Sequence, residues 1–107
     1  MPIHKEWHPA TEDHVSLNAP SEAGVYELKS FGTLVYVGRA EDLSAAILSM
    51  LAERTPNYYR YRTLDLMEDL DEVYHEHRDR YEAEHGQLPA WNRSEAAEEE
   101  EEATAER

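Results

Sequence analysis

Two tyrosines stand out among the residues of this 107-residue chain that could do chemistry. Tyr26 ends the triplet Gly24-Val25-Tyr26, and Tyr36 opens Tyr36-Val37-Gly38 ten residues later. Arg39 follows directly. A phenol can pack its ring and still offer its hydroxyl to a hydrogen bond. A guanidinium pairs with phosphate, and a glycine lets backbone approach closely. Two phenols, one cation and a close-approach glycine near one sheet end describe a phosphate site. The same residues also fit a plain hydrophobic hairpin, and their spacing does not separate the two readings.

A second set lies in Tyr58-Tyr59-Arg60-Tyr61-Arg62-Thr63. Arginines interleaved with tyrosines suit nucleic-acid contact by stacking and phosphate pairing. The competing reading is a half-exposed strand whose Arg60 and Arg62 pair with nearby carboxylates. The histidines are less informative. His4, His8 and His14 have no metal-ligand spacing. His75 and His77 fall on different helix faces, while His77, Tyr81 and His85 share one. Packed or capping histidines are the simpler account.

The elements that must position these groups follow from periodicity. Val25 to Ser30 and Thr33 to Arg39 read as two strands in which Leu34, Tyr36 and Gly38 alternate with Val35 and Val37. Phe31-Gly32-Thr33 supplies the turn, with Gly32 free to take positive φ. Asp42 or Glu41 caps a helix whose Leu43, Ala46, Ile47, Met50 and Leu51 form one apolar face. Thr55-Pro56-Asn57 ends it. Tyr58 to Leu64 reads as a third strand, with Tyr59, Tyr61 and Thr63 on one face. Residues 65–85 read as a long helix capped by Asp65, with apolar positions Leu66, Leu70, Val73 and Tyr74 and a stop at Gly86. The pattern is a single α+β domain, a small three-stranded antiparallel sheet flanked by helices in the order β-β-α-β-α. Residues 1–19 form a lead-in that lies over the core or adds a short edge strand. Residues 20–93 form the domain, with a coil over residues 86–92. Residues 94–107 are a polyacidic tail expected to be disordered.

Composition narrows the function classes. The absence of cysteine excludes disulfides and thiolate chemistry. No apolar run reaches the roughly 18 residues of a membrane span, and no signal peptide is visible, so a cytoplasmic setting without a membrane partner is expected. The chain holds 24 acidic against 10 basic residues, a net −14. Seven of those acids and one base fall at or after Glu95, leaving 17 acids and 9 bases, or −8, before it. Lysine occurs only at Lys5 and Lys29. An acidic, lysine-poor surface suits a salt-rich cytoplasm, where self-repulsion is screened over a few ångströms. A domain of this charge has no global pull toward DNA, so a DNA partner would need a local arginine cluster. A protein partner carries no such requirement.

With these triplets at this spacing, followed by this helix, the chain resembles the GIY-YIG nuclease superfamily over about residues 18–92. It looks most like the N-terminal domain of the excision-repair endonuclease subunit and its small stand-alone relatives. Pro20 to Tyr26 resembles the first motif and Tyr36-Val37-Gly38 the second, with Val for the usual Ile in both. Asp42-Leu43 sits where that family opens its first helix, and Pro89 to Asn92 resembles its closing segment. The resemblance implies phosphodiester hydrolysis by tyrosine-assisted attack of water, with one divalent ion, Mg²⁺ or Mn²⁺, held by a glutamate. It places Tyr26 and Tyr36 at the catalytic tyrosine positions and Arg39 in reach of phosphate. Gly24 and Gly38 would allow close approach, and Arg60 and Arg62 could add binding contacts. Counting back from Pro89 offers Glu76 and Glu82 for the metal. One departure is plain: the family's helix arginine falls at Ala46. Losing one such donor costs about 100- to 1000-fold in rate. The resemblance therefore implies a non-cleaving binding module related to nucleic-acid processing. Its alternatives are a weak metal-dependent endonuclease and a protein-interaction module.

Overall fold

The computed structural model describes residues 6–95. Its elements are β1 (His8–Pro9), α1 (Glu12–Asn18), β2 (Gly24–Ser30), β3 (Thr33–Ala40), α2 (Leu43–Arg54), β4 (Tyr58–Thr63) and α3 (Leu70–His85). A final helical turn over residues 90–95, α4, closes the described chain. The α+β architecture is as expected. The sheet is antiparallel and has a fourth, two-residue strand, giving the order β1-β4-β2-β3.

The β2–β3 hairpin forms as its residues dictate. Ser30 pairs with Thr33 across a two-residue loop. Phe31 and Gly32 both take positive φ, 50° and 79°, the combination whose twist matches the flanking strands. Strict alternation along β3 does not hold. The register shifts between Leu28 and Lys29, which pair with Tyr36 and Leu34 and skip Val35. Such a bulge turns two consecutive side chains to one side. Val35 therefore joins Tyr36 in one core, while Leu34 packs with Val37 on the other.

Two cores result, one on each sheet face. On the first, α1 and α2 cover Tyr26, Leu28, Tyr36 and Tyr59, with Leu43 and Ile47 fully buried and Ala46, Met50 and Leu51 packed alongside. Asp42 caps α2 by accepting the Ala45 N–H at 3.1 Å. On the second face, Val73 and Tyr74 of α3 seal Val25 and Val37.

Three expectations need correction. The lead-in does add a short edge strand, β1, as one of its two expected forms, but it also folds a helix that was not expected: Thr11 accepts the His14 N–H at 3.1 Å and caps α1, whose Val15 is fully buried. The long helix starts at Leu70, not at residue 65, and its cap is Asp69. Glu68 accepts the Asp65 N–H at 2.8 Å and an Arg62 N–H at 2.6 Å. That turn leaves Leu66, expected on the helix face, exposed together with Met67. The stretch over residues 86–92 is not all coil. The Pro89 carbonyl accepts the Arg93 N–H, starting a turn that includes Ser94 and Glu95, both assigned to the tail in the sequence reading. The rest of that expected disordered tail, residues 96–107, lies outside the described residues.

Candidate functional site

β2 and β3 bring the two tyrosines together. Tyr26 stands opposite Gly38, and Tyr36 is opposite Leu28, two residues along. In an antiparallel pair this diagonal is within reach of aromatic side chains. The ring centroids are 5.8 Å apart. The Tyr26 ring lies directly over Gly38, where a Cβ would run into it. A Cβ on Gly24 would meet the Arg62 carbonyl oxygen and the Leu43 side chain. Both motif glycines are thus demanded by packing.

The phenols face a carboxylate. The Tyr36 hydroxyl donates to Glu95 Oε2 at 2.8 Å, and the Tyr26 ring lies beside it. Both side chains are buried, at 4% and 8% exposure. Burial, then the Glu95 charge, pushes the Tyr26 phenol far above its ordinary range, against the opposing effect of the Tyr36 hydroxyl. Tyr36 is raised first by burial, then by Tyr26 and by its bond to Glu95. The Tyr74 phenol adds to both shifts.

α4 holds the carboxylate in place. Trp91 packs on the first core, Pro89 is fully buried, and Asn92 is buried at 3% exposure. The Asn92 Oδ1 accepts the Val37 N–H and its Nδ2 donates to the Val37 carbonyl, both at 2.9 Å. Sequence reasoning missed Glu95 because it opens an acidic run that reads as solvated. The available signal was Pro89 before a tryptophan, since proline is well tolerated at the head of a helix.

The other expected site residues are not assembled at the pair. Arg39 points to the α3 face, where it bonds Asp71 at 2.8 Å and lies 4.8 Å over the Tyr74 ring. Arg60 bonds Glu27 at 2.7 Å and lies 4.2 Å from the Trp7 ring. Arg62 bonds Glu68 at 2.6 Å. The carboxylate-paired reading of both arginines is the one observed. Ala46 packs against the core containing the tyrosines and offers only a methyl group.

The two metal candidates are also displaced. Glu76 and Glu82 are exposed on α3, the helix on the opposite sheet face, and Glu76 bonds Arg80 at 3.2 Å. Among the described residues no group of three or more His, Cys, Asp or Glu could hold a metal ion. The carboxylate that does stand at the pair is that of Glu95, which was not among the expected metal candidates.

One histidine pair did come together unexpectedly. His8 and His14 stack with centroids 5.2 Å apart, and His14 Nδ1 is 2.7 Å from the hydroxyl of the fully buried Tyr59. Burial raises Tyr59 to about 12. This cluster fastens α1 to β4.

Among the described residues no helix is long and apolar enough to cross a membrane. Residues 1–80 match the model of a family described as "Domain of unknown function (DUF7508)", and the chain belongs to that family. No curated protein matches the sequence.

Proposed function

We propose that this chain is a non-cleaving, GIY-YIG-like domain that works as a binding module in nucleic-acid processing. The observation that carries the reading is the Tyr36–Glu95 bond. A phenol that takes a proton from water needs its pKa brought down toward working pH. Burial and a neighbouring carboxylate act in the opposite direction here. A carboxylate beside the pair also repels the phosphate that a nuclease must hold. Ala46 in place of a cation and the dispersed arginines point the same way.

The rival reading, a weak Mg²⁺- or Mn²⁺-dependent endonuclease, draws on the close approach of the two tyrosine rings. Both readings are tested with branched and single-stranded DNA plus either ion, in molar KCl to suit a salt-adapted protein. The expected outcome is no cleavage by the wild type. Cleavage that disappears in Tyr26→Phe overturns the proposal. Activity confined to an Ala46→Arg variant supports it. Retention on DNA across a salt series then assigns the partner, since a module that binds only protein shows none.

A further inference from the structure

On the sheet face away from the tyrosines, α3 leaves a cavity of about 240 Å³. Its sheet wall carries the Glu27–Arg60 ion pair, and its helix wall carries His77 and Arg80. His77 is only 6% exposed. Its Nδ1 lies 3.0 Å from the Val73 carbonyl oxygen. A carbonyl only accepts, so Nδ1 carries the hydrogen and donates it. In the neutral ring Nε2 is then a lone-pair acceptor, and it is buried with no partner. Arg80 Nη1 is a buried donor with no partner, and so is Arg62 Nη1.

Buried polar atoms are rarely left unsatisfied in folded proteins, and each exception asks for a reason. Here one acceptor, His77 Nε2, and one donor, Arg80 Nη1, are orphaned on two residues that line the same cavity. Burial holds His77 neutral, and the guanidinium groups of Arg62 and Arg80 act in the same direction. The carboxylates facing the cavity are Glu27, matched by Arg60 at 2.7 Å, and Glu84, exposed on the rim with Tyr81 and His85.

We propose that this cavity binds a hydrogen phosphate group, whose anionic oxygen accepts from Arg80 Nη1 and whose P–OH donates to His77 Nε2. The pairing of donor and acceptor selects the ligand. Acetate and sulfate at neutral pH offer only acceptors and leave Nε2 unsatisfied. A site built to bond an O–H discriminates strongly against analogues that lack one.

The test is a titration of the full chain with inorganic phosphate at neutral pH and constant KCl, following the His77 ring nitrogens by NMR. Sulfate, acetate and glycerol phosphate titrations run beside it. A saturable shift of Nε2 with inorganic phosphate, at least about tenfold weaker with sulfate and acetate, is expected. Glycerol phosphate separates free phosphate from a monoester as the source, its monoanion supplying the same P–OH. Arg80→Gln, on a partly exposed helix position, should weaken phosphate binding about tenfold or more and leave the fold intact by circular dichroism. No saturable shift, the result if the cavity holds only water, overturns the proposal. So does equal binding of sulfate, or full phosphate affinity in folded Arg80→Gln.

Discussion

Gly38 carries a hydrogen where any other residue would carry a carbon, and the Tyr26 ring fills that space. This one substitution of hydrogen for methyl lets two phenols meet. Their environment has a measurable consequence. Tyr26, Tyr36 and Tyr59 all have raised folded-state pKa values, with burial as the leading cause. The unfolded chain loses these protons near the ordinary value of 10.0, the folded chain only at about 12 for Tyr59 and higher for the pair. Above the ordinary value the unfolded state therefore binds fewer protons, and stability falls as pH rises. The tyrosine contribution should be intact below pH 10 and decline from there through about 12. Urea midpoints measured across this range, with phenolate absorbance recorded in parallel, should show these tyrosines ionising late or only on unfolding. Ionisation of all seven tyrosines near the ordinary value in folded protein contradicts this account.

At the scale of elements, legibility in the sequence depended on whether local signals had competitors. The hairpin was readable because a positive-φ turn and alternating apolar residues point to one structure. α2 was readable from its apolar face and from Asp42, and β4 from its alternating Tyr and Arg. α1 was missed although Thr11 precedes Glu12 and Asp13, a capping residue followed by an acidic first turn. Seven residues with one buried valine leave little periodicity to detect. α3 was readable, but its start was not. Asp65 and Asp69 are both competent caps, and Glu68 decides between them by folding back onto Asp65 and Arg62. Asp69→Ala should therefore cost about 1 kcal/mol, and Asp65→Ala well under half of that, in urea midpoints. The reverse ranking would place the helix start where the sequence alone suggested. The candidate site divides the same way. The two tyrosines and both glycines were legible as candidates, but the meeting of the phenols was not: closed at Ser30 and Thr33 without the bulge at Val35, the hairpin would set Tyr26 opposite Val37 and turn Tyr36 to the other face. Nor was Glu95, because a contact between residues 59 positions apart leaves no local trace.

At the scale of the whole molecule, the sheet has two unequal sides and two unequal margins. One side is closed by α1 and α2, the other by α3. One margin ends in the two-residue β1. The other is β3, eight residues long, with no strand beyond it among the described residues. A long outer strand presents free N–H and C=O groups, and these invite pairing with a foreign chain. At Val37, in the middle of β3, the Asn92 side chain meets both groups at once. Its amide acts as a single peptide unit of a neighbour that is not there. Asn92→Ala would uncover that rung, so the variant should self-associate with rising concentration where the wild type does not, as read by sedimentation velocity. A variant that stays monomeric would show that the rung needs no guard. If it does associate, one carboxamide near the chain's end decides whether the molecule remains solitary or becomes the first unit of a ribbon.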